Sequence, residues 1–163
     1  MHRAVIAILL SLGSAAGCAL TLEDLQRRGE RREFGELRAI ATDRARPGWA
    51  REEAVAVLGR KQAEEAAPDL VAILLDARES PWLRAAAAEA LGNLRRPGCV
   101  ETLEPLVQQT DLFEEIRVAA LRSLCACGGA DERVRQALAD LSQDPDLLVA
   151  ALADSLRRGR CAP

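Results

Sequence analysis

The stretch Leu83-Arg84-Ala85-Ala86-Ala87-Ala88-Glu89-Ala90-Leu91-Gly92 decides how this chain folds, because a close copy stands on either side of it. The upstream copy covers residues 50–59 and the downstream copy covers residues 116–125, and the three align without gaps. Each copy carries an arginine at its second position, 33 residues from the next: Arg51, Arg84 and Arg117. Self-similarity at a fixed period of this length predicts a stack of repeated supersecondary units.

A second kind of helix is predicted between the copies. Apolar residues recur there at the i, i+3, i+4 and i+7 spacing of an amphipathic helix, as in Phe34, Leu37, Ile40 and Ala41, in Val100, Leu103, Leu106 and Val107, and in Val134, Ala137, Leu138 and Leu141. Proline- and glycine-containing connectors separate the helices. A weaker fourth copy covers residues 148–156, where we place Val149 at the arginine position. We interpret this copy as a terminal cap.

The composition agrees with an all-α fold. Aromatic residues make up 2% of the 163 residues, and alanine, leucine, arginine and glutamate, all strong helix formers, dominate. The prediction is therefore an all-α protein, an α-solenoid of about four helical hairpins. The net charge of −3 argues against a nucleic-acid partner, because such binding depends on a basic surface.

The repeats resemble HEAT repeats, and specifically the short variety found in phycobilin-lyase-like proteins. The residues that carry the resemblance are the arginine of the second helix, the alanine-rich face after it and the closing Leu-Gly. An upstream acid, Asp43 or Asp76, completes the pattern. The resemblance implies a hydrogen-bond ladder between repeats, formed by these acids with Arg51, Arg84 and Arg117.

The first residues have the order of an export signal. Met1-His2-Arg3 precedes a short apolar run and then Ala15-Ala16-Gly17-Cys18, which resembles a bacterial lipobox, although Ala15 stands where leucine is usual. We expect residues 1–17 to be a signal peptide, residues 18–32 a lipidated Cys18 and a tether with a partial helix at residues 22–28, and residues 33–163 the repeat domain. The resemblance implies a protein anchored by lipid to a bacterial membrane, on the periplasmic side or at the cell surface; plain secretion is the alternative.

The expected mature chain has no histidine, because the single histidine, His2, lies in the expected signal peptide. Ser-His-Asp, Cys-His and zinc-finger arrangements are excluded on that ground, and so are HEAT-like enzymes that hold iron through His-Glu pairs. No glycine-rich phosphate loop is present. We therefore expect no catalytic residue, no metal, no cofactor and no small-molecule substrate, and a protein that is not an enzyme.

Four cysteines remain after Cys18, and an even number in an exported protein suggests disulfides. Cys99, Cys127 and Cys161 fall on one edge of the predicted stack, so a Cys99–Cys127 bond would tie neighbouring repeats. Alternatively, Cys127 would be bonded to Cys161. A third arrangement pairs Cys161 with Cys125, if the end of the helix unwinds. Cys125 replaces the glycine of the earlier copies, and we interpret it as a small buried thiol.

The expected binding face is the concave surface lined by the second helices. Helical phase leaves Glu53, Arg60, Glu89, Asn93 and Arg122 exposed on it, together with alanines such as Ala119. Trp49 and Trp82 stand at equivalent positions just before two of these helices. Either they grip a partner or they act as hydrophobic staples at the hairpin turn, and we favour the staple.

The leading functional hypothesis is a non-enzymatic scaffold or adaptor that binds a protein partner at the bacterial cell envelope. An accessory protein resembling phycobilin lyases, which attach chromophores, is a second hypothesis that only the repeat type supports. A purely structural subunit of a membrane complex is a third. The sequence does not identify the partner.

Overall fold

The computed structural model describes residues 20–159 and Cys161; the signal-peptide prediction, Cys18 and His2 lie outside them. The described residues form α-helices and no strand, which confirms the all-α prediction. The helices are α1 (Leu22–Glu30), α2 (Phe34–Thr42), α3 (Gly48–Arg60), α4 (Ala67–Leu75), α5 (Pro81–Leu94), α6 (Cys99–Val107), α7 (Glu114–Gly128), α8 (Glu132–Leu141) and α9 (Leu147–Gly159), with a 3₁₀ turn (Glu64–Ala66) before α4. Within these ranges no helix is long and apolar enough to cross a bilayer.

The helices pair into four antiparallel hairpins, α2–α3, α4–α5, α6–α7 and α8–α9, which stack in chain order. The second helices α3, α5, α7 and α9 form one continuous layer, because each contacts the second helix of the next hairpin. Stacking is required because a single hairpin cannot bury its apolar face alone. The α-solenoid of four hairpins predicted from the 33-residue period is therefore confirmed.

The 33-residue period of the sequence recurs in the buried positions of the second helices. Ala50, Leu83, Ile116 and Val149 follow one another at intervals of 33 residues, and each has at most 1% of its surface exposed. Val149 thus occupies the core position before the arginine, and Ala150 stands where the arginine would be. Our alignment of Val149 with the arginines is wrong by one residue. The last hairpin lacks the arginine, as expected of a cap.

Glycine at the end of a second helix lets the next one approach closely. A Cβ added to Gly59 would lie 2.6 Å from the Cα of Ala90, and one added to Gly92 would lie 2.6 Å from the Cβ of Ser123. Neither distance is compatible with a real side chain. The Leu-Gly that closes the first two copies in the sequence is therefore a packing requirement between neighbouring hairpins.

The segment expected to be a tether contains a packed helix. In α1, Leu25 is fully buried and Gly29 lies so close to α3 that an added Cβ would be 2.4 Å from Val57. Thr21 caps the helix by accepting a hydrogen bond from the Asp24 amide, while the Asp24 carboxylate accepts one from the Thr21 amide. The partial helix expected over residues 22–28 of the tether is thus present as α1, and its apolar face packs against α3.

Candidate functional site

The repeat arginines hold the first three hairpins together from inside. Each donates from Nε to a backbone carbonyl ten residues upstream, at the C-terminal end of the first helix of its own hairpin. Arg51 reaches Ala41 at 2.9 Å, Arg84 reaches Leu74 at 2.8 Å and Arg117 reaches Val107 at 3.2 Å. These carbonyls have no partner within their helix, and a cation also favours the negative end of the helix dipole.

Two of the arginines also bridge to the next hairpin. Arg51 donates two hydrogen bonds, of 2.7 and 2.9 Å, to the carboxylate of Glu79, which lies in the loop before α5. Arg117 does the same with Asp144, in the loop before α9. These hydrogen bonds hold the pKa of Glu79 and of Asp144 below their ordinary values. The contacts form a ladder between repeats.

The acids of this ladder are not those expected from the sequence. Asp43 accepts a hydrogen bond from the amide of Ala45 within its own turn, and Asp76 accepts hydrogen bonds from the amide and the guanidinium of Arg78. Neither contacts a repeat arginine. The prediction failed because the partner acids lie in the loop of the following repeat, and their position in that loop differs between repeats.

Arg84 stands apart from the other two arginines. It is 8% exposed, yet within the described part of the chain no carboxylate forms an ion pair with it. The position equivalent to Glu79 lies 33 residues further along the chain, and there the next repeat has Leu112, which cannot pair with Arg84. The ladder is therefore complete at its first and third steps and is held by the carbonyl contact alone at the second.

Two disulfides join the last hairpins. Cys99, at the start of α6, is bonded to Cys127, near the end of α7, with Cα atoms 6.2 Å apart. Cys125 is bonded to Cys161, with Cα atoms 5.0 Å apart. Of the two partners left open for Cys161, the structure selects Cys125, so the interpretation of Cys125 as a free buried thiol is wrong. Cys125 thereby links α7 to the chain beyond α9.

The outward face of α3, α5 and α7, here called the second-helix surface, carries the predicted binding residues. Arg60, Glu89, Asn93 and Arg122 are exposed on it. Glu53 is partly buried, and its carboxylate accepts a 2.6 Å hydrogen bond from Arg60 on the same helix. Ala119, expected to be exposed, is 3% exposed because α5 lies against it.

An apolar groove runs along this surface between α5 and α7. Its volume is about 340 Å³, and it is lined by Ala85, Ala86, Val118 and Ala119, with the indole of Trp82 at one end. Glu52, Glu89, Glu115 and Arg122 stand around it. Burial raises the pKa of the Glu52 carboxyl. Small side chains on both helices make the floor, so the alanine-rich sequence that brings the helices together also leaves space above them.

The tryptophans are not buried staples. Trp49 is 47% exposed and Trp82 is 62% exposed, although both stand in the first turn of a second helix. Phe113, Leu147 and Leu148 are also at least half exposed at the corresponding ends of α7 and α9. The exposed residues thus mark one edge of the stack, the N-terminal ends of the second helices. Sequence reasoning named the tryptophans but missed Phe113 and the two leucines.

Within residues 20–159 and Cys161, no three or more histidine, cysteine, aspartate or glutamate side chains are grouped so that they would hold a metal ion. Many carboxylates are instead paired with arginines, as in Asp69 with Arg38 and Glu101 with Arg133.

Three curated relatives share stretches of this sequence, and all are named deoxyhypusine hydroxylase. The mouse protein is 41% identical over 61 residues, covering 37% of this chain and 20% of that protein. The human protein is 44% identical over 54 residues, covering 33% and 18%, and the bovine protein is 33% identical, covering 45% and 35%. The chain thus spans about a fifth to a third of the length of these relatives.

These names contradict one sequence-based expectation. We expected a protein that is not an enzyme, but the curated relatives carry the name of one. The missing histidine had led us to exclude HEAT-like enzymes, but that argument concerned residues and not resemblance to named proteins.

The repeat family is shown by a longer match. The family model for HEAT repeats matches residues 70–157, which is more than half of the chain and runs from α4 to α9. The match begins inside the second hairpin, and the same 33-residue period continues upstream of it through Arg51 and Ala50. Together with the stack of hairpins, it shows that the chain belongs to the HEAT-repeat family.

Proposed function

We propose that this HEAT-repeat stack binds a partner protein through the second-helix surface, and that it does so at the bacterial cell envelope. The observation that carries the proposal is the exposed indole of Trp82 at the end of an apolar groove. Exposed aromatic residues beside a packed, rigid scaffold are typical of interaction surfaces, where tryptophan is enriched among the residues that dominate binding.

The rigidity of the scaffold supports the same role. The arginine ladder and the disulfides fix the hairpins relative to one another, so little conformational entropy is lost when a partner binds. Repeat stacks of this kind present an extended surface that several neighbouring hairpins share. A scaffold or adaptor needs both properties.

Site-specific photocrosslinking in cells tests the protein-binding role. A photoreactive amino acid at Asn93, which is exposed on the second-helix surface, should give a crosslinked adduct of higher mass. The matched control is the same amino acid at Ala72, which is exposed on α4 in the other layer. An equal yield at both positions, or no adduct at Asn93, would count against the proposed surface.

The envelope location is a separate part of the proposal and rests on the lipobox-like Ala15-Ala16-Gly17-Cys18. Acylation of Cys18 would anchor the stack to a membrane through the summed burial of methylene groups. Metabolic labelling with a fatty acid should mark the wild-type protein and should not mark Cys18→Ser. Labelling that persists in Cys18→Ser would refute the anchor and leave the binding surface untouched.

A second candidate function follows from the names of the relatives. The shared stretches of 41–44% identity favour a hydroxylation activity of the kind that those proteins are named for. The chain spans a small part of them, so the full activity requires a direct assay. Incubation of the purified protein with deoxyhypusine-containing protein, dioxygen and a reductant, followed by mass spectrometry for the addition of one oxygen atom, gives the answer. An unchanged substrate mass would remove this candidate.

A further inference from the structure

The groove between α5 and α7 has a floor that suits aliphatic groups. Ala85 and Ala86 come from α5 and Val118 and Ala119 from α7, and none of them offers a side-chain donor or acceptor. A volume of about 340 Å³ is at the small end of the range for ligand clefts, so it suits individual side chains of a docked segment. Burial of aliphatic carbon against this floor contributes to binding without selecting a charge.

The rim of the groove is negatively charged. Glu52 stands on α3, Glu89 on α5 and Glu115 on α7, so three successive hairpins each place one carboxylate there. Within the described residues none of the three takes part in an ion pair, whereas nearby Glu53 is paired with Arg60. Arg122 is the one cation of the lining, so the groove carries an excess of two negative charges.

The indole of Trp82 adds a third feature. It is 62% exposed at the end of the groove. Aromatic faces attract ammonium and guanidinium groups, and tryptophan does so best. An aliphatic floor, an acidic rim and an exposed indole together match the side chains of lysine and arginine, which have an apolar stem and a cationic head.

We propose that this groove receives a basic segment of the partner protein, with a lysine or arginine stem on the alanine floor and its cation among Glu52, Glu89 and Glu115. The inference rests on the proposed function and specifies the chemistry of the partner. An acidic segment is disfavoured because like charges at an interface cost binding free energy. A partner docking by apolar contact alone would leave the three carboxylates without counter-charges.

Fluorescence of Trp82 provides a direct readout. The chain has two tryptophans, so Trp49→Phe leaves Trp82 as the only one. The probe is a short synthetic peptide of alternating lysine and leucine, titrated into the Trp49→Phe protein at low and at high salt. We expect a saturable change in emission that weakens with salt, and no change with the same peptide carrying glutamate in place of lysine.

A charge-matched pair of triple variants decides whether the rim is responsible. The groove variant Glu52→Gln/Glu89→Gln/Glu115→Gln should bind the lysine peptide about tenfold or more weakly than the protein with an unchanged groove. The control Glu64→Gln/Glu65→Gln/Glu104→Gln changes the net charge equally at residues that do not line the groove. Its affinity for the lysine peptide should change by no more than about twofold. Equal weakening by the two variants, or an emission change with the glutamate peptide, would overturn the proposal.

Self-association is the remaining occupant and is tested on the same proteins. Sedimentation that shows a dimer of the wild type and a monomer of the groove variant would overturn the proposal in favour of a second copy of this chain. The proposed function fails independently: a crosslink from Asn93 that persists in the groove variant refutes the basic segment alone. If the photoreactive amino acid at Asn93 gives no crosslink in the protein with an unchanged groove, the binding surface itself is refuted.

Discussion

The joint between α5 and α7 and the joint between α7 and α9 use one repeat position in two ways. At the first, Gly92 lets α7 approach until an added Cβ would lie 2.6 Å from the Cβ of Ser123. At the second, the residue 33 positions later is Cys125, which is bonded to Cys161 beyond the end of α9. Close packing holds the middle of the stack, and a covalent bond holds its end.

The physical reason for the difference lies in what each second helix has beside it. α5 is covered by α3 on one side and α7 on the other, so contact alone buries it. In α9, Val149 and Ala153 are buried, while Leu147 and Leu148 are 84% and 50% exposed. A terminal hairpin that buries little apolar surface gains more from a cross-link, which stabilises it mainly by restricting the unfolded chain.

The largest expected effect comes from removing both disulfides. Each bond spans a separation of 28 or 36 residues, and chain-entropy arguments give about 3–4 kcal/mol for loops of this length. The variant with Cys99, Cys125, Cys127 and Cys161 changed to serine should lose protection from hydrogen exchange first in α8 and α9. Protection in α3 and α5 serves as the internal control. Four free thiols in the wild type, found by alkylation and mass spectrometry, would contradict the pairing.

The arginine ladder gives the next effect. Arg117→Met strands the buried Asp144 carboxylate and should lower the free energy of unfolding by about 3–5 kcal/mol. Arg84→Met strands only the carbonyl of Leu74 and should cost about 1–3 kcal/mol. Urea denaturation measures both. Equal losses would show that the carbonyl contact, and not the bridge to the next hairpin, is what stabilises the stack.

The packed joint is tested with alanine. Gly92→Ala should cost about 1–3 kcal/mol, because α7 must move away from the new Cβ. Gly35 on α2 is the control, since no atom lies within 4 Å of a Cβ added there. Gly35→Ala should be neutral or stabilise by roughly 0.4–1 kcal/mol through the unfolded state. Thermal unfolding of the two variants gives the comparison, and a neutral Gly92→Ala would refute the close approach.

The smallest effect is a dependence on pH. The pKa of Glu79 and that of Asp144 are lowered in the folded state, so the unfolded chain binds more protons in mild acid. The ladder therefore stabilises fully above the ordinary carboxyl range, and this contribution is lost as pH falls below about 4. Asp144→Asn should show a smaller loss between neutral and acidic pH than the wild type. An identical pH dependence would show that Asp144 does not contribute.

The repeat period predicted most of the fold but little of the loops. Arg51, Arg84 and Arg117 were found from spacing, because helical positions recur when the helices pack alike. The prediction of the acids that pair with these arginines was wrong, since Glu79 and Asp144 occupy different places in their loops and no period relates them. Trp82 was named but assigned to the wrong environment, because a hydrophobic residue in a first helical turn fits both a staple and an exposed edge.

By itself the sequence determined the class of fold, the number of hairpins and most of the residues that face the shared core, because burial of an amphipathic helix follows from its spacing. Tertiary structure alone decided which acid meets each arginine, which cysteine pairs with Cys161 and where the alanine floor stays open beside Trp82. Those features depend on distances between hairpins, set by close contacts such as Gly92 with Ser123. Spacing along the chain does not encode such distances, because they arise only when neighbouring repeats are packed together.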